Sequence, residues 1–433
     1  MKKTKKIVSS IILSFGFLVG CQNNIQPYMN DHVNFTAKSV SSFTLENKEF
    51  IQTGRTVVRI GYQEKHQLNR LNEMGMDIWM VDSPNLTVYG EVEENIINDL
   101  LRMNLKVTRL SKPGYSIKNT FDKGYHTYDT LLSELKVLEN KYSSIMKLYD
   151  IGDTWEKTKG YANRDIWMVR ISGSKEIDNK PGIVFFGAHH AREIVTVEIP
   201  LLLIKYLVEN YEKDPKIRNL VDNREIWIAP MVNPDGHALA AKGMDWRKNT
   251  NDNSGIMRVK YTPGKTAGVD LNRNYGFKWN TGGASTYPGS MTFAGKGPFS
   301  EPETQACRDF MKSHPNLKIM MSYHSFSNLI LWPWGYTEEP APDANLLSTI
   351  GKKLASFNGY SPKQASGLYI ASGITDDWSY GELKILSFTT EIGSWNDGFD
   401  PPYSRVPKFW DENRPGALYL IDLAGNPNKV WTR

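Results

Sequence analysis

The apolar run PGIVFFGA passes directly into His189-His190-Ala191-Arg192-Glu193. An imidazole and a carboxylate three residues apart at a strand's end can turn both side chains toward one ion, and His189 stands beside them as a competing ring. A second apolar run, LKIMMSY, delivers His324 at its own end, followed by Ser325. Two imidazoles and a carboxylate that leave one coordination position open form the donor set of a catalytic zinc. Taken alone, the H-x-x-E spacing is weak, since it arises often by chance and also describes a solvated His–Glu pair. Glu391 closes another apolar run, SFTTE, where a buried carboxylate needs a partner or a chemical task. A structural salt bridge is its plain alternative.

These residues need a frame that brings strand ends together. Gly182–Gly187, Glu225–Val232, Leu317–Tyr323 and Ile385–Ile392 read as strands, and Ile194–Tyr211, Pro302–Ser313, Ala344–Phe357 and Phe409–Leu423 as helices. Such alternation predicts an α/β fold with a mixed, mostly parallel sheet flanked by helices. Open α/β sheets hold ligands at the carboxyl ends of their strands, where the candidate residues fall. Upstream, residues 56–110 read strand, helix, strand, strand, helix, strand (Val57–Gly61, Lys65–Met74, Asp77–Val81, Leu86–Val92, Glu93–Met103, Leu105–Leu110). That order is a small ferredoxin-like α+β unit, and none of its residues clusters catalytic chemistry. A segment over 111–123, with Pro113, Gly114 and three lysines, has the composition of an exposed linker open to proteolysis.

At 433 residues, 40% hydrophobic and 23% charged, the chain has the composition of an ordinary globular protein of two or three units. Its net charge of +5 owes four units to Lys2, Lys3, Lys5 and Lys6, so the remainder, about +1, has no strong attraction for nucleic acid. Those lysines precede an apolar run, Ile7–Gly20, that is shorter than the ~18 residues needed to cross a bilayer. A basic start and a short apolar stretch have the form of a secretory signal. The end of the stretch, Leu18-Val19-Gly20-Cys21, resembles a bacterial lipoprotein signal, in which Cys21 is acylated; the alternative is an ordinary signal with Cys21 incidental. Cys307 is the only other cysteine, so an acylated Cys21 leaves no internal disulfide.

From about Tyr125 onward the chain resembles the zinc carboxypeptidases of the A/B/T type, through GAHHAREIVTVE, NPDGH, WRKNT, GVDLNRNY, FSEPET, SYHSF, LYIASGITDDWSY and SFTTEIG in the family's order. The start, GYHTYDTLLSELKVLENKYSSI, looks like the bacterial carboxypeptidase T branch, and residues 56–110 resemble the family's activation domain. The resemblance implies one zinc per catalytic domain, held by His190, Glu193 and His324, with His189 as a neighbouring structural residue. It implies Glu391 as general base and Arg247 as the cation that steadies the oxyanion. Asn272 and Arg273 match the pair that grips the substrate's terminal carboxylate, a task suited to a planar guanidinium. Tyr369 matches a mobile tyrosine that closes over substrate, and Arg192 a contact to the chain upstream of the cut bond. Asp376 matches the family position at the base of the side-chain pocket, where an unpaired carboxylate calls for a Lys or Arg side chain, with tolerance for apolar residues. Phe326 departs from the tyrosine that several relatives carry near the second histidine.

The organisation expected is therefore a signal at 1–20, a tether at 21–55, an activation domain at 56–110, a linker at 111–123 and a catalytic domain at 124–433. The expected partners are peptide C-termini as substrate, a membrane through a lipid on Cys21, and an activating protease, with the chain monomeric. The expected location is the outer face of the cell membrane, from which linker cleavage would release the enzyme. Two other readings are a peptidase of diaminopimelate-containing cell-wall stem peptides and a non-catalytic, peptide-binding lipoprotein.

Overall fold

In a computed structural model the described residues are 54–113, 121–173, 179–253 and 268–432. The signal, Cys21, nearly all of the tether and most of the linker lie outside them. Among the described residues no helix is long and apolar enough to cross a membrane.

The first unit has strands β1 (Arg55–Gly61), β2 (Asp77–Asp82), β3 (Thr87–Glu93) and β4 (Lys106–Arg109), with helices His66–Glu73 and Glu94–Arg102. The strands lie in the order β2-β3-β1-β4 and every neighbouring pair is antiparallel. Each helix buries residues three apart, Leu68 with Leu71 and Ile97 with Leu100, so one apolar stripe of each faces the sheet. The predicted β-α-β-β-α-β order holds, with ends moved by a residue or two.

The second unit is an eight-stranded sheet of β5 (Met146–Asp153), β6 (Asp165–Ile171), β7 (Gly182–Phe186), β8 (Glu225–Ala229), β9 (Leu317–His324), β10 (Leu329–Trp332), β11 (Ser361–Gln364) and β12 (Leu386–Glu391). Their order is β11-β10-β12-β9-β7-β8-β6-β5, and the central run β12-β9-β7-β8 is parallel throughout. β7 is buried at every position because both its faces are covered. Ile183 and Phe185 join one core with helices Val195–Asn210 and Val406–Leu423, while Val184 and Phe186 join the other with helix Pro302–Ser313. The sheet is thus a mixed, mostly parallel layer between helices, as predicted.

Because β7, β9 and β12 run the same way, their carboxyl ends share one edge of the sheet. Glu391 is the register partner of His324, so those two side chains start from adjacent backbone positions. The first unit covers this edge: its core continues into Leu329 and Leu331 of β10 and into Leu368.

Candidate active site

After β7 the chain turns sharply toward helix Val195–Asn210. A Cβ at Gly187 would stand 2.2 Å from the Thr196 carbonyl oxygen, so only glycine allows the approach. Thr196 closes the turn, its hydroxyl donating to the Glu193 carbonyl at 2.6 Å and accepting from the Ala188 N–H at 3.0 Å. His190 and Glu193 are thereby brought to the end of β9, where His324 sits.

Glu193 lies against both rings: its Oε1 is 2.7 Å from His190 Nδ1 and its Oε2 is 3.0 Å from His324 Nδ1. The two Nδ1 atoms are themselves 3.1 Å apart. All three residues are buried. His190 Nε2 faces Asp270 Oδ1 at 3.1 Å, which keeps the ring proton on Nε2 and leaves the Nδ1 lone pair aimed at the other donors. Two lone-pair nitrogens and a carboxylate crowded into one buried point need a cation between them. Their chemistry fits zinc. Burial works against a charged Glu193, yet the two imidazoles hold its carboxyl well below the usual range.

Asp270 is the residue that sequence reading missed. Its second oxygen takes a two-pronged contact from Arg247, Nε at 3.1 Å and Nη2 at 2.8 Å, so one buried carboxylate orients both a metal ligand and the oxyanion candidate. In the quoted GVDLNRNY, Asp270 stands two residues before Asn272, but nothing in that spacing names its partners.

One cavity is lined by nine of the predicted residues: His190, Glu193, Arg247, Asn272, Arg273, His324, Tyr369, Asp376 and Glu391. Arg192 stands just outside it, its guanidinium 3.9 Å above the Phe399 ring. Burial pushes the Glu391 carboxyl well above its ordinary range, and the nearby Glu193 charge adds to the push. A divalent cation on the three ligands would oppose both effects. Arg273 lies close to Tyr369, whose hydroxyl accepts from its Nη2 at 3.4 Å, and its other nitrogens are anchored on the Gly283 and Asn272 carbonyls.

Asp376 is the second residue of the helix Thr375–Leu383 and is 3% exposed. Thr389 donates to its Oδ2 at 2.8 Å, whereas Oδ1 has no hydrogen-bond partner. Burial raises its carboxyl to about 6, the Thr389 bond pulling the other way. The loop ahead of that helix is pinned to the Asn272–Arg273 turn: Tyr275 N–H donates to the Gly373 carbonyl at 2.9 Å. Gly373 has φ +70°, and a Cβ there would lie 2.3 Å from the Arg273 carbonyl oxygen.

The first unit reaches this cleft, although its sequence announced no chemistry. Ile78 and Trp79 line the same cavity. Asp77 accepts from Arg192 Nη2 at 2.6 Å and from the Trp79 indole at 2.8 Å. Trp79 also packs among Phe326, Trp395 and Phe399. Phe326 therefore contributes an apolar wall rather than a hydroxyl. A second acidic group, Asp150, Asp153 and Asp165, lies elsewhere and is bridged by the Lys157 ammonium, which pairs with both Asp153 and Asp165.

The zinc carboxypeptidase family matches residues 131–416. The chain is 32% identical over 379 residues to a zinc carboxypeptidase of Saccharothrix mutabilis subsp. capreolus, covering 80% of this chain and 84% of that protein. It is 34% identical over 307 residues to rat (Rattus norvegicus) carboxypeptidase A1, covering 69% and 70%. Its fold is similar to the crystal structure of carboxypeptidase A from Helicoverpa armigera, with a TM-score of 0.72 at 24% identity over 87% of this chain and 98% of that one.

Proposed function

The chain belongs to the zinc carboxypeptidase family, and from that premise we propose that it removes C-terminal lysine or arginine, with tolerance for apolar residues. The carrying observation is Asp376, a buried carboxylate in the cleft with one oxygen unpartnered. A substrate ammonium or guanidinium would satisfy it, whereas an apolar side chain would leave it as it is. The start over Gly124–Ile145 supports a likeness to the carboxypeptidase T branch.

In this reading Arg273 and Asn272 bind the terminal carboxylate, and Tyr369, whose hydroxyl lies beside Arg273, closes over it. Arg192 meets the chain upstream of the cut bond. His190, Glu193 and His324 would hold the zinc, which when bound would supply Lewis-acid polarisation of the scissile carbonyl and a more acidic water. Glu391 takes the water's proton and returns it to the leaving amine. Arg247, held by Asp270, presents a fixed positive charge where the carbonyl oxygen becomes negative, and a preorganised donor there acts most strongly in the transition state.

Residues 56–110 act as an activation domain that blocks the cleft, with 124–433 as the enzyme and cleavage falling in 111–123. The contacts of Asp77, Ile78 and Trp79 with the cleft support this. Residues 1–20 are read as a signal and Cys21 as a lipid anchor, on the strength of the Leu18–Cys21 sequence, so that cleavage would both activate and release the enzyme.

A peptide-library digestion tests the reading, run before and after linker cleavage, with muropeptides alongside. The cleaved protein should release C-terminal Lys and Arg, stop when a chelator removes zinc, and resume when zinc is returned. Failure of the cleaved, zinc-loaded protein to release any C-terminal residue would refute it, and release from muropeptides alone would favour a cell-wall substrate.

A further inference from the structure

His189 precedes a metal ligand but is directed elsewhere. Its ring is fully buried, lying nearly parallel to His324 at 5.8 Å and edge-on to Phe186. Nε2 lies 2.9 Å from the Tyr275 hydroxyl and 3.3 Å from Thr375 Oγ1, and Nδ1 lies 3.5 Å from Ser322 Oγ.

The direction of these bonds follows from the neighbours. Asn272 Oδ1 can only accept, and it takes the Thr375 N–H at 2.9 Å and the Thr375 hydroxyl at 3.0 Å. With its one proton committed there, Thr375 Oγ1 can only accept from His189, and a proton on Nε2 would be shared between it at 3.3 Å and the Tyr275 hydroxyl at 2.9 Å. The reverse face of Asn272 then has no freedom. Its Nδ2 turns toward the metal ligands, 3.4 Å from His324 Nε2, and the amide presents donors, not an acceptor, to the cleft. A flipped amide would set its N–H group against the Thr375 backbone N–H, which can only donate, so that bond selects the orientation and the hydroxyl bond reinforces it.

We propose that His189 is a positioning residue, which through Thr375 locks the Asn272 amide with its NH2 group facing the cleft, ready for the substrate's terminal carboxylate. The proposal rests on the reading of Asn272 and Arg273 as the carboxylate site. It assigns His189 no contact with substrate or zinc. Because the effect falls on the terminus and not on the side chain, it applies equally to Arg-ended and Leu-ended peptides.

The test uses the full chain after limited proteolysis of its linker, loaded with zinc. His189→Phe keeps the ring and loses the N–H; His189→Gln restores an N–H near Nε2. Zinc stoichiometry should stay at the wild-type value in both. In His189→Phe, KM for both peptide classes and the Kd of free arginine, measured by calorimetry, should rise about tenfold, with kcat nearly unchanged. His189→Gln should recover most of the affinity. Thr375→Val, which keeps the backbone N–H but removes the relay hydroxyl, should reproduce the rise and serves if His189→Phe does not fold. An unchanged Kd in both His189→Phe and Thr375→Val, with a raised Kd in Asn272→Ala, overturns the proposal and leaves the carboxylate site standing. An unchanged Kd in Asn272→Ala overturns both. Loss of zinc or of kcat in His189→Phe without a change in KM also overturns it, since that marks a merely structural role.

Discussion

Asp77 and Arg192, 115 residues apart in the chain, meet at 2.6 Å with both side chains only 2% exposed. The contact joins the small antiparallel unit to the turn that carries His190 and Glu193. Removing one member of a buried pair costs roughly 3–5 kcal/mol where the other charge is left without a partner, and less here because Arg192 keeps Asp245 at 3.4 Å. Asp77→Ala should therefore loosen the cover. Uncleaved Asp77→Ala is expected to hydrolyse a small substrate at least ~10-fold faster than the uncleaved parent, since each 1.4 kcal/mol is about tenfold. Equal rates would show that the pair does not hold the cleft shut.

In the proposed reading Asp376 selects the side chain accepted. Asp376→Ala should lower kcat/KM on Arg-ended peptides by about 100-fold, the effect of losing a buried charge partner of roughly 3 kcal/mol, and leave Leu-ended peptides little changed or improved. The measurement is the ratio of the two rates. A ratio that does not move removes Asp376 from specificity.

Glu391→Gln should bind zinc normally while kcat falls by about 10²–10⁴. As the proposed base, Glu391 would work only when ionised, so parental activity should decline as pH falls through its pKa, and that acid limb should be missing from the residual activity of Glu391→Gln. Persistence of the limb in the variant would assign it to another group.

His126 offers a pH test of stability away from the cleft. Its ring lies between Glu198, 2.9 Å from Nδ1, and Glu134, 2.8 Å from Nε2. Burial disfavours the charged ring, but the bonds and charges of the two carboxylates outweigh it and raise the pKa. A folded pKa above the unfolded one gives stabilisation that is complete below about pH 6.5 and fades as pH rises through the folded value. Relative to the parent, His126→Gln should lose more Tm at about pH 6 than at about pH 9. Equal losses at both would contradict the ion triad.

What could be read from the chain followed from burial and local chemistry. The central strands β7, β9 and β12 are apolar runs that end in polar residues, so their positions and the metal triad were visible together. Strands β5, β6, β10 and β11 escaped notice: β10 and β11 have four residues each, β11 contains Pro362, and β5 and β6 mix buried with exposed or part-exposed positions and carry no site residue at their ends. Asp270 escaped because its importance lies in joining His190 to Arg247, a relation that no local spacing encodes. Asp77 and Trp79 looked like ordinary strand residues, since their partners lie over a hundred positions downstream.

Gly373 has a wider consequence. With its backbone pressed against the Arg273 carbonyl, the loop leading to Asp376 cannot drift away from the turn that carries Arg273. If the chain end is gripped at one and the final side chain at the other, this missing methyl group works as a gauge. On that reading it would leave room for a single residue beyond the scissile bond, and the product would be one amino acid rather than a dipeptide.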